Sequence, residues 1–134
     1  MSYGDMRRWA SQHHVLVGSD FLQQGRQGIY DAEYGTILID RGMNYTQKRC
    51  TFVHEWVHSM YGDIGCGRLA AKSERRTSLK TAQLLIDPLE YATAEEMFDG
   101  DLYRMAAELN VTHQVIKDYQ LWLDSHPSAC RRSA

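Results

Sequence analysis

The sequence predicts an α+β fold, with a few short strands first and helices after them. Two observations carry that expectation. One β-rich run near the N-terminus, GIYDAEYGTILIDRG, alternates Ile37 and Ile39 around Leu38 after a turn region ending at Gly35. From Asn44 onward the patterning is helical almost without interruption.

In chain order, the first 13 residues read as a short helix, and VLVGSDFLQQ has room for one or two short strands. The run from Gly28 to Gly42 reads as a hairpin, so a small N-terminal antiparallel sheet is expected. Asn44 followed three residues later by Gln47 is a capping-box arrangement, and it opens a helix that runs to about Tyr61, where Gly62 ends it. The stretch GDIGCG has turn chemistry throughout. A long helix is expected from about Arg68 to Ile86. Asp87 then caps another helix that has Pro88 in its first turn. The segment DLYRMAAELNVTHQVIKDYQLWLD reads as a helical hairpin, about 101–124, turning at Asn110 with Thr112 as a cap and Ile116 facing back. The tail HPSACRRSA reads as frayed.

At 134 residues one domain, 1–134, is the expectation, since two cores of half that size are hard to stabilise. Hydrophobic residues make up 43% and charged residues 24%, the balance of a globular chain. A net charge of -2 gives no electrostatic case for sheathing nucleic acid or docking on an anionic membrane. No apolar run approaches a membrane span, and MSYGDMRRWA lacks the apolar centre of a signal peptide. Three cysteines, Cys50, Cys66 and Cys130, at no paired spacing argue for a reducing compartment rather than a disulfide framework. A cytoplasmic location is therefore expected.

The chemistry concentrates in CTFVHEWVH, Cys50 to His58. Residues four apart on a helix share a face at about 6 Å, so His54 and His58 can offer two imidazoles to one metal ion. Glu55 is rotated by roughly 100° from His54, where a general base for an activated water belongs. A histidine pair can also be an ordinary hydrogen-bonded surface feature. Here Phe52, Val53, Trp56, Val57 and Met60 make most of the helix apolar, and buried imidazoles need partners that a metal would supply.

Catalytic zinc takes three protein ligands and leaves a position open. Cys50 stands one turn before His54, yet roughly 12 Å of helix separates it from His58, too far for all three to meet one ion. It reads as a small core residue. The metzincin extension is absent, with Tyr61 and Ile64 where glycine and histidine would stand. Another element must supply the ligand. Glu74, on the next long helix, is the leading candidate on chain order, ahead of Asp63, Glu90 and His113.

The pairing of RCTFVHEWVHSMYGD with SERRTSLKTAQLLIDP resembles the ImmA/IrrE family of metallopeptidases. Such proteins show a strand pair, a basic residue ahead of HExxH (here Arg49) and a second helix that opens with a ligand glutamate. That helix closes on a Leu-Leu or Leu-Ile pair shortly before a proline, matched by Leu84, Leu85, Ile86 and Pro88. The match runs from about Gly28 to Tyr91 and more loosely to Leu123. The resemblance implies a minimal zincin-like fold in which His54, His58 and Glu74 hold Zn2+ and Glu55 is the base. It further implies a bacterial, often phage-borne, anti-repressor peptidase that cleaves a specific helix-turn-helix repressor. Trp56 and Val57 depart from the leucine and glycine frequent between the family's histidines. Thr77, Lys80 and Thr81 also depart from its second helix.

Other features have plainer readings. Tyr61 is a candidate oxyanion donor or a packing residue, and Arg75 or Arg76 a candidate partner for Glu74. Trp9, Trp56 and Trp122 read as core or boundary aromatics. His13, His14, His113 and His126 read as surface residues. The C-terminal hairpin has the outline of a DNA-binding helix-turn-helix, but its second helix carries Asp118 and Asp124 beside Lys117 and lacks the basic footprint of a DNA reader. A structural hairpin is the simpler reading, and a wall of the substrate cleft is a further hypothesis for it. Two alternatives to a peptidase follow: a module that inactivates a repressor by docking alone, and a DNA-binding regulator that uses this hairpin.

Overall fold

Ser2 starts the first helix. Its hydroxyl accepts from Asp5 N while Asp5 returns a carboxylate oxygen to Ser2 N, a capping box that opens α1, Tyr3–Gln12. The computed structural model describes residues 1–23, 25–61 and 68–126, excluding the side chains of residues 68–70. Helix α1 buries Tyr3, Met6 and Ala10 on one face. Three strands follow: β1 (Leu16–Asp20), β2 (Gly28–Asp31) and β3 (Thr36–Asp40). Six helices are present among the described residues. After α1 come α2 (Tyr45–Tyr61), α3 (Arg68–Leu85), α4 (Pro88–Met97), α5 (Leu102–Leu109) and α6 (His113–Asp124).

The coarse class is α+β, as expected, but the sheet is not purely antiparallel. Its order is β1-β3-β2, with β2 antiparallel to β3 and β1 parallel to β3. The hairpin forms for local reasons. Asp31 accepts from Glu33 N and Tyr34 N, and Gly35 takes a positive φ of 59° that only glycine adopts freely. The central position goes to the strand with most to bury, since Ile37 and Ile39 are both fully enclosed. Strand β1 therefore pairs with the free edge of β3. The chain segment after it carries the path across to β2, which makes β1 parallel to β3. VLVGSDFLQQ holds one strand, not two.

The helical caps follow the sequence closely. Asn44 Oδ1 accepts from Gln47 N, and Gln47 Oε1 accepts from Asn44 N, so the box at the head of α2 is reciprocal. Asp87 accepts from Leu89 N and Glu90 N ahead of Pro88, and Thr112 accepts from Val115 N. Asn110 ends α5 in the left-handed conformation, with φ 53° and ψ 48°. The expected stop at Gly62, the glycine loop, Asp63, Cys66 and the tail from Pro127, Cys130 included, lie outside the described residues.

Helix α2 is the hub. It packs on α1, β2, β3 and α3, and α3 in turn packs on α6. Cys50, Phe52, Val53 and Val57 join the core, whereas Met60, expected on the apolar flank, is 52% exposed near the end of α2. Trp56 turns to the α1 side, where it meets Trp9 edge-on at 4.4 Å. Arg49 spans two remote segments: its Nε donates to Met1 O at 2.8 Å and a terminal nitrogen donates to Asn110 O at 2.7 Å. Thr46 adds a 2.6 Å bond to Asn110 Oδ1. The α5–α6 turn is thereby pinned to the start of α2, which fixes α6 beside the histidine face. No described helix is long and apolar enough to cross a membrane.

Gly28, at the head of β2, sets how closely the sheet approaches α2. A Cβ there would lie 2.6 Å from Thr51 Cγ2, 3.1 Å from Glu55 Cγ and 3.3 Å from Leu38 O. Gly28→Ala should therefore destabilise the fold by about 1–3 kcal/mol through overpacking. Urea unfolding is the check, and an unchanged midpoint would mean that strand and helix are not in contact there.

Candidate metal centre

The two histidines lie one turn apart on α2 with ring centroids 4.8 Å from each other. Glu74, on α3, bridges them: Oε2 is 3.0 Å from His54 Nε2 and Oε1 is 2.7 Å from His58 Nε2. The three ligand-type atoms all lie within 4.8 Å of one another. Around a zinc ion bound at about 2.0–2.1 Å, tetrahedral ligand atoms sit about 3.3 Å apart, so a small adjustment would admit one. Two imidazole nitrogens and one carboxylate are a donor set suited to zinc. The residues present fit the group.

The electrostatics point the same way. Burial holds His54 below its ordinary pKa, against the pull of Glu74 and with a small push from His58 in the same direction as burial. An imidazole held neutral keeps a lone pair for a metal. His58 has a further neighbour, Thr77, whose hydroxyl is 3.4 Å from His58 Nδ1 on the side away from Glu74. Thr77 is fully buried, and contacts of this kind orient ligating rings.

Glu55 is buried on α2 and pressed against the head of β2. Burial pushes its carboxyl up, opposed by His58 and by the Tyr30 backbone N–H. The carboxylate lines the same cleft as His54 and Glu74, a cavity of about 590 Å³ between the 25–28 segment, α2, α3 and α6. Arg26 stands on its outer bank.

The remaining candidates fall elsewhere. Cys50 lines the cleft, but its thiol is pushed up by burial and takes no place among the clustered ligand atoms. Glu90 is exposed in the first turn of α4, and His113 packs edge-on against Tyr103 at 4.0 Å. The Tyr61 ring carries the Arg76 guanidinium at 4.1 Å. Glu74 pairs with the two histidines. His13 and His126 bond the carbonyls of Trp9 and Trp122 one turn back.

No family model and no curated protein matches the chain.

Sequence reasoning passed over several cleft residues. Ser78 and Thr81 follow Glu74 at helical spacing, so their position on its face was readable once Glu74 was chosen. Asp118 was not: it reaches the cleft only because α6 packs on α3. Burial pushes the Asp118 carboxyl up, opposed by its bond from Gln114 Nε2 at 3.0 Å.

The buried Glu55 has a stability consequence with a definite sign. Its folded-state pKa is raised, so the native state holds the proton more tightly than the unfolded chain. Stability present at acid pH is lost as pH rises through that raised value. Glu55→Gln should therefore raise the Tm of the metal-free protein by about 2–5 °C near pH 7. The advantage should shrink below about pH 4, where the carboxyl is protonated in both states. Thermal scans at the two pH values test this, and a lower Tm for the variant at neutral pH would refute it.

Proposed function

We propose that the chain is a zinc-dependent endopeptidase of the ImmA/IrrE type with a minimal zincin-like fold. The observation that supports it most is the bridging of His54 and His58 by Glu74 from a second helix, with Glu55 buried alongside in the same cleft. His54, His58 and Glu74 would hold the zinc. When bound, zinc brings the pKa of a water to about 7 and polarises the scissile carbonyl.

The chain's own residues do the proton work. Glu55 accepts one proton from the water as its oxygen bonds to the carbonyl carbon. It then delivers that proton to the amide nitrogen as the C–N bond breaks, so the products are a carboxylic acid and an amine. Burial raises the Glu55 carboxyl, which favours its holding the proton between the two steps. Thr77 positions His58 for its task.

The proposed substrate is a specific helix-turn-helix repressor of a bacterial or phage regulatory system, acted on in the cytoplasm. That step rests on the resemblance of the two helical motifs. The C-terminal hairpin is read as a wall of the cleft and not as a DNA reader. Thr112, Gln114, Val115 and Asp118 of its turn and second helix all line the cavity.

Co-expression with a helix-turn-helix repressor encoded beside it separates the possibilities. The wild type should cut the repressor in the presence of zinc. Glu55→Gln should lower the rate by at least about a hundredfold while leaving the bound metal in place. Repression relieved equally by Glu55→Gln would instead establish docking without proteolysis. A DNA gel shift that persists without metal would favour the regulator.

A further inference from the structure

One part of the cleft is built for something the peptide-bond chemistry does not need. Glu74, Ser78 and Thr81 line it in succession along α3, and α6, packed on α3, adds Val115 and Asp118. Thr81 is only 3% exposed, and its hydroxyl has no hydrogen-bond partner among the described residues. A buried hydroxyl left so carries a free-energy cost that a ligand group can remove. Asp118 is half-buried, and its one hydrogen bond comes from the neutral amide of Gln114. Among the described residues it makes no ion pair.

We propose, resting on the peptidase reading, that Asp118 and Thr81 form a specificity subsite for a basic side chain, lysine or arginine, of the substrate. The charges facing the cleft fit that occupant. With Glu55 and Glu74 engaged at the metal centre, Asp118 is the carboxylate left to face an occupant, and Arg26, the one cationic side chain among the described lining residues, stands on the 25–28 bank near Glu55. A lysine ammonium or arginine guanidinium has several donors and no acceptor, which suits a lining that offers a carboxylate and hydroxyl groups. Val115 and Cys50 offer apolar surface to its aliphatic stem. A glutamate would meet Asp118 with like charge. A leucine or norleucine side chain would leave both polar groups unmet and desolvated. The subsite falls on Thr81, one of the positions where the second helix departs from the family that it resembles.

The test is a binding measurement that does not depend on turnover. Zinc-supplemented, 15N-labelled Glu55→Gln full chain is titrated with acetyl-Ala-Ala-Lys-Ala-Ala-amide, with its norleucine counterpart and with its glutamate counterpart. The lysine peptide should bind about tenfold more tightly than norleucine, with glutamate weakest, and should shift the backbone amides of Thr81 and Asp118. Adding Asp118→Asn should erase the preference, and Thr81→Val should reduce it about threefold. Equal affinity for the three peptides, failure of all three to bind, or a preference untouched by Asp118→Asn would each overturn the subsite. Hydrolysis of the lysine peptide by wild type is read separately by mass spectrometry. A preserved lysine preference without any cleavage would support the subsite and count against the peptidase reading.

Discussion

The contact on which the site depends is the carboxylate of Glu74 bridging two imidazoles of a neighbouring helix. A carboxylate and two histidines gathered at hydrogen-bond distance fix three things together. They set the rotation of α2 about its axis, the rotation of α3, and the separation of the two helices. Everything else near the cleft can be read as support for that geometry. Thr77 reaches His58 from the same helix as Glu74, so α3 grips that ring on two sides. Arg49 and Thr46 hold the α5–α6 turn to the start of α2 and so bring α6 against the far bank.

The sheet serves the same end from the other side. Ile37 and Ile39 anchor β3 in the core, β2 pairs with it, and the missing side chain of Gly28 lets the head of β2 come down onto Thr51 and Glu55. Glu55 is thereby buried between α2 and the sheet. The cost is a carboxyl that resists ionisation. Local instability accepted in this way is common where a group is kept for chemistry rather than for packing.

Much of the helical architecture was legible in the sequence, because caps are local. Asn44 with Gln47, Asp87 with Pro88, and Thr112 announce helix starts within three residues of themselves, and the structure uses each of them. The histidine spacing was equally local, and chain order pointed to Glu74. What escaped was non-local. Nothing within β1 says that it will pair parallel with β3, since its partner strand lies twenty residues further along the chain. Gly28 looks like an ordinary glycine at a strand start until α2 lies across it. Asp118 reads as a solvated helix residue until α6 is packed on α3. Met60 falls on the apolar flank by its spacing, yet near the end of α2 it is exposed.

The central claim is that His54, His58 and Glu74 act as one metal site. Equilibrium dialysis of the full chain against zinc, followed by elemental analysis, tests it most directly. The account predicts about one zinc per chain, removed by chelator, with affinity lowered at least about tenfold by Glu74→Gln. Protein that binds no zinc, or that binds it equally well with Glu74 replaced, would contradict the account.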